Sequence, residues 1–171
     1  MILGKTNIVL IGMPGSGKTT IGKKLAMKSK KEFVDTDAFI EESSGKKISD
    51  LFLVGEDYFR EIESDIIKKI ASRENIIIST GGGVIKREKN IKHLKENGVI
   101  FFINRPPELI IKDIKISTRP LLKNKRESVW TLYKERINLY KSYCDIEVEN
   151  VDSLEKTVDK ILIQCKEMGL I

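Results

Sequence analysis

Cysteine is scarce in this 171-residue chain, which has two, Cys144 and Cys165. Their spacing suits neither a disulfide framework nor a metal site and points to a reducing cytoplasm. No apolar run approaches the ~20 residues of a membrane span, so no membrane partner is expected. The opening "MILGKTNIVLIG" runs into a glycine-rich motif, not a small-residue cleavage site, and reads as a first strand rather than a leader. Internal repeats, low-complexity tracts and long linkers are all missing, and the length fits one domain, 1–171, with a sizeable core. Aromatics are few, and the lysines behind the net charge of +6 are scattered along the chain. That pattern describes a solvated basic surface that attracts small anions, with no nucleic-acid partner. His93 and Trp130 read as helix-surface and packing residues.

What is present is a regular alternation. "NIVLI" (7–11), "FV" (33–34), "NIIIS" (75–79), "VIFFI" (99–103) and "IEVE" (146–149) read as strands. The first, third and fourth are almost continuously apolar, as parallel strands covered on both faces should be. Lys18–Ser29, Glu56–Ser72, Glu88–Glu96, Glu127–Tyr143 and Ser153–Glu167 read as helices. The fold class is therefore α/β, a parallel sheet with helices on both faces and right-handed crossovers. Ligands in such sheets sit beyond the carboxyl ends of the strands, so the loops after Ile11, Val34 and Ser79 should face one site.

Directly after the first strand, "GMPGSGKTT" (12–20) fits G-x-x-x-x-G-K-[ST] through Gly12, Gly17, Lys18 and Thr19. Glycines let backbone N–H groups turn inward around a phosphate. Lys18 brings a positive charge, Thr19 a hydroxyl for Mg²⁺, and the following helix its positive end. ATP contacts are assigned to Gly15, Ser16, Gly17, Lys18, Thr19 and Thr20. The guanine-reading N-K-x-D and the D-x-x-G switch of a GTPase are missing: Asn124-Lys125-Arg126-Glu127 lacks the Asp. The small size favours a small-molecule kinase.

The second strand ends in "DTD" (35–37). If the chain is extended there, Asp35 and Asp37 point to one side. The third strand ends in Ser79-Thr80 with no acid, so Asp35 becomes the carboxylate for Mg²⁺ together with Thr19. Asp37 is left to orient an acceptor hydroxyl or take its proton. The alternative is that both simply cap the next helix.

In "EDYFREIESDIIKKI" (56–70), Arg60 and Glu63 are three apart on a helix whose apolar stripe is Phe59, Ile62, Ile66, Ile67 and Ile70. Such a pair either aims a guanidinium at a ligand anion or is a surface salt bridge. Gly81, Gly82 and Gly83 carry a high backbone-entropy cost, which makes sense if bare backbone must approach a ligand; the alternative is a flexible turn. Arg136 lies between Tyr133 and Tyr140, and two arginines from separate helices suit one carboxylate. Arg119, before Pro120, belongs either to a lid that places charge on the transferring phosphoryl group or to a basic surface loop.

In order and together, "GMPGSGKTT", "DTD", "FREIE" (59–63), "GGG" (81–83), "RPLL" (119–122) and "RINLY" (136–140) resemble the shikimate kinases, of the nucleoside-monophosphate-kinase-like group. The resemblance implies a three-layer P-loop fold with a five-stranded parallel sheet, order 2-3-1-4-5. It implies a substrate-binding segment at about 36–63 and a lid at about 113–125. The implied activity is ATP-dependent phosphorylation of the shikimate 3-hydroxyl in aromatic amino-acid biosynthesis, by a cytoplasmic monomer using Mg²⁺. Lys18, Asp37 and Arg119 would be catalytic, and Arg119 would also hold ATP. Asp37, Arg60, Glu63, Gly81, Gly82, Gly83 and Arg136 would hold shikimate, and Thr19 and Asp35 the metal. The family's adenine-stacking arginine falls on Lys112, and the adenine loop near Asn150–Asp152. The rivals are another small-molecule kinase, such as a gluconate kinase, and a non-enzymatic nucleotide-gated protein.

Overall fold

The computed structural model describes residues 4–116 and 125–171, with the side chains of 114–116, 125 and 126 left aside. Five parallel strands, β1 (Asn7–Ile11), β2 (Glu32–Asp35), β3 (Ile76–Ser79), β4 (Gly98–Asn104) and β5 (Ile146–Glu149), lie in the order β2-β3-β1-β4-β5. Helices α1 (Lys18–Ser29), α2 (Thr36–Ser44), α3 (Ile48–Val54), α4 (Glu56–Ala71), α5 (Glu88–Asn97), α6 (Pro107–Ile116), α7 (Lys125–Tyr143) and α8 (Leu154–Glu167) follow in chain order. The expected sheet order is the one observed, and the strand and helix ends agree within about two residues.

Central β1 is buried throughout, paired to β3 at Val9↔Ile78 and to β4 at Val9↔Ile100. Successive residues point to opposite faces, so one strand feeds two cores. Ile8 and Leu10 pack with Ile21 and Leu25 of α1 and Val158 and Ile161 of α8. Val9 and Ile11 pack with Ile67 of α4, Leu94 of α5 and Tyr140 of α7. This layering explains the continuous apolar runs, since neither strand face meets water.

Helices α2, α3 and α6 were not read from periodicity. They are short, at 9, 7 and 10 residues, and α2 and α3 are too brief to show a stripe. Their stability is tertiary. Ile40, Leu51 and Phe59 form a small satellite core joining α2, α3 and α4, which gives the 36–63 segment its own packing. The expected lid, 113–125, starts in the last turn of α6, and its centre, with Arg119, lies outside the described residues.

Candidate active site

The turn from β1 into α1 begins the site. Gly17 is the N-cap of α1 at φ 96°, a left-handed conformation, and a Cβ there would meet Asn150 Nδ2 at 3.1 Å. Ser16 is buried, and its carbonyl accepts a hydrogen bond from Asn150 Nδ2 at 2.9 Å. Thr157 Oγ1 donates to Asn150 Oδ1 at 2.9 Å, so an amide engaged at both its nitrogen and its oxygen links the loop to Thr157 of α8. Lys18 Nζ donates to the carbonyls of Gly12 and Met13, both at 2.9 Å. Burial pushes the Lys18 pKa down to about 8, although Asp37 and Asp35 pull it upward.

Asp35 satisfies two readings of the sequence at once. Its Oδ1 caps α2 by accepting the N–H groups of Asp37 and Ala38 at 3.1 and 3.2 Å. Its Oδ2 accepts the Thr19 hydroxyl at 2.8 Å. The expectation of an extended "DTD" is corrected: Asp35 ends β2, but Asp37 already lies in the first turn of α2. Strand alternation therefore does not bring the two acids to one side; the helix start does. A Cβ on Gly81 would lie 2.6 Å from Asp37 Oδ1, so the carboxylate rests directly on the glycine backbone. Burial, then the nearby Asp35 charge, raises the Asp37 pKa, with Lys18 and Arg60 opposing.

Asp37 and Lys18 line one cleft of about 360 Å³, with Gly15, Thr19, Asp35 and Gly82 among the other walls. Gly17, Thr20 and Gly81 also line it. Thr19 and Asp35 offer two adjacent oxygen donors, and no group of three His, Cys, Asp or Glu is found among the described residues. Such a set fits Mg²⁺, which keeps several waters and draws its other ligands from phosphates.

Arg60 and Glu63 form a buried pair, not a surface one: Nη1 donates to Oε2 at 2.7 Å, with side chains 8% and 2% exposed. Burial raises the Glu63 pKa even against the Arg60 charge, so desolvation outweighs the attraction at that carboxyl. The guanidinium lies 5.0 Å from the Phe59 ring centroid and 5.6 Å from that of Phe52, and Glu56 reaches it at 3.4 Å. A Cβ on Gly83 would stand 2.7 Å from Arg60 Cζ, and one on Gly82 would stand 2.6 Å from Pro14 Cδ. Each glycine of the triplet thus makes room for a different protein group: Asp37, Pro14 or Arg60. The turn is close-packed. Arg136 Nη1 donates to Gly82 O at 3.1 Å, and the Tyr140 hydroxyl donates to the same oxygen at 2.5 Å.

The sequence motifs missed Thr36, whose hydroxyl accepts the Gly81 N–H at 3.1 Å, and the bracing role of Asn150. Thr36 sits inside "DTD" but, like Asn150, is a small polar residue to which the motif assigns no chemistry. Tyr140 was read only as part of an apolar stripe, yet a buried phenol needs a partner for its hydroxyl.

The shikimate kinase family model matches residues 14–166. A shikimate kinase of Clostridium botulinum (strain Eklund 17B / Type B) is 50% identical over 157 residues, 92% of this chain and 95% of that one. The structure of "Shikimate kinase from Acinetobacter baumannii in complex with shikimate" superposes with a TM-score of 0.87 at 32% identity, covering 98% of this chain and 96% of the other. A gluconokinase from Sinorhizobium meliloti reaches a TM-score of 0.63 at 16% identity, covering 96% of this chain and 94% of its own, and shares the fold alone.

Proposed function

The chain belongs to the shikimate kinase family, and we propose that its cleft transfers the γ-phosphoryl group of ATP to the 3-hydroxyl of shikimate. The observation that carries this reading is the convergence of the Lys18 ammonium and the Asp37 carboxylate on one cleft. In-line transfer needs an alcohol and a phosphate held head-on, with charge neutralised between them.

In this reading the loop from Gly15 to Thr20 binds the ATP phosphates through its N–H groups and the α1 N-terminus. Lys18, released from the Gly12 and Met13 carbonyls, follows the charge as it develops on the transferring group. Thr19 and Asp35 would hold Mg²⁺, which supplies charge neutralisation on the phosphates when bound. Asp37 orients the acceptor hydroxyl, and its raised pKa suits it to receive the proton as the oxygen attacks. Arg60, aimed by Glu63, and Arg136, beside Gly82, take the carboxylate at the far end of the acceptor. Gly81, Gly82 and Gly83 form the wall between them. Arg119 adds positive charge at the phosphates from the 113–125 segment, and the 36–63 segment carries the acceptor site. The free thiols suit a reducing compartment. The proposal includes a cytoplasmic monomer acting on ATP and shikimate without nucleic acid.

The test is ADP release from ATP and Mg²⁺ with shikimate, with gluconate, and with neither. Release only with shikimate is expected. Turnover with gluconate and none with shikimate would overturn the reading.

A further inference from the structure

We propose that two buried hydroxyls, those of Thr36 and Tyr140, are positioning residues that fix the peptide planes of the Gly81–Gly83 wall and thereby tune acceptor binding. The inference rests on the reading of this cleft as the shikimate site. A triplet of glycines has no side chains of its own to lock it, and it has more backbone freedom than any other tripeptide. Something outside the triplet must hold it in register.

Two of its peptide groups are held from opposite walls. The Gly81 N–H donates to Thr36 Oγ1 at 3.1 Å. The Gly82 carbonyl accepts Tyr140 OH at 2.5 Å and Arg136 Nη1 at 3.1 Å, which uses both of its lone pairs. Short turns secure the rest, with Val84 N on Gly81 O at 3.2 Å and Lys86 N on Gly83 O at 3.0 Å. Both hydroxyls sit on rigid supports. Thr36 is the first residue of α2, directly after the capping Asp35. Tyr140 is fully buried, and its ring stacks on Phe102 of β4 with centroids 5.0 Å apart and planes 13° apart. Burial pushes the phenol up to about 12, so it remains a donor through the working pH range.

The consequence is directional. Carbonyl and N–H point opposite ways across a planar trans peptide, so a Gly82 carbonyl turned to α7 turns the Gly83 N–H away from it. Among the described residues no acceptor lies on the N–H of Gly82 or Gly83. These unpartnered donors, and Arg136 held on the shared oxygen, are thereby kept available to an anion in a fixed geometry. Neither Thr36 nor Tyr140 lines the cleft that Lys18 and Asp37 share. Their loss should therefore be felt in acceptor affinity and not in the chemical step.

The experiment measures steady-state kinetics of Tyr140→Phe and Thr36→Val, each of which removes a hydroxyl and keeps the packing. Each should raise KM for shikimate about three- to tenfold, the span of one hydrogen bond, with kcat within about twofold and KM for ATP unchanged. The Tyr140→Phe effect should grow in an Arg136→Ala background, because the Gly82 carbonyl then loses both of its donors. An unchanged shikimate KM in either variant overturns the role of that hydroxyl, as does a parallel rise in both KM values. If Tyr140→Phe does not fold, Thr36→Val decides alone. A wild-type protein without shikimate-dependent ADP release sinks the underlying reading, and this inference with it. An active wild type with unaffected variants sinks the inference only.

Discussion

Glu63→Gln is the sharpest test of how the acceptor site is built. The substitution keeps shape and removes one charge from a pair whose nitrogen and oxygen are 2.7 Å apart and almost fully buried. At a charge separation of about 4 Å and an effective dielectric near 20, the lost attraction is about 4 kcal/mol. Three things offset it. Gln still accepts one hydrogen bond, half-exposed Glu56, at 3.4 Å, retains part of the compensation for Arg60, and a neutral group no longer bears the desolvation that outweighs the attraction at this carboxyl. The net change in stability should therefore be small, within about 1 kcal/mol. For a domain of this size that keeps Tm within about 4 °C of wild type, read by differential scanning calorimetry. The loss should fall on the aim of Arg60 instead, raising KM for shikimate at least about tenfold while KM for ATP stays within about twofold. An unchanged shikimate KM, or a Tm lowered by about 6 °C or more, would refute the reasoning: in the first case Arg60 is held by Phe52 and Phe59 alone, in the second the attraction outweighs the desolvation.

Gly83→Ala should reach the same site from the other side, because its Cβ would stand 2.7 Å from Arg60 Cζ. Shikimate KM should rise by about tenfold or more, and an unchanged value would show that Arg60 moves aside freely. Lys18 has a pKa lowered to about 8, so it is cationic below that pH and increasingly neutral above it in the free protein. ATP affinity should be steady up to about pH 8 and then weaken, by at most about tenfold per pH unit, as binding must restore the proton; calorimetry in buffers of different ionisation enthalpy should show proton uptake, and a flat Kd from pH 7 to 9.5 would contradict it. Asp37, with a raised pKa, is protonated at higher pH than an ordinary aspartate, so kcat should fall on the acid side as the base is lost. Asp37→Asn should lower kcat by about 10²–10⁴-fold and remove that acid limb; a mutant with near-normal turnover would reduce Asp37 to an orienting group.

Local patterns made much of the molecule legible. The apolar runs of β1, β3 and β4 are long enough, and buried enough on both faces, to announce parallel strands. The loop from Gly12 to Thr20 has fixed spacing because phosphate binding is a backbone geometry repeated within nine residues. Asp35, Asp37, Arg60 and Arg136 were recognisable because each departs from its local pattern: two acids after a strand, and arginines along apolar stripes. The short helices α2, α3 and α6 were not legible, since their apolar residues make sense only against the satellite core and the main sheet.

The chain by itself determined which chemical groups are available and in what order, because periodicity and motif spacing act over a few residues. It could not settle whether Asp35 capped a helix or faced the phosphate loop; the fold has it do both, through separate oxygens. Nor could it settle whether Arg60 and Glu63 were solvated or buried, or why three glycines stand together. Those answers depend on contacts between residues tens of positions apart, as with Tyr140 on Gly82 and Thr36 on Gly81. Burial, and with it the value of each charge and hydrogen bond, is a property of the packed whole and not of any segment.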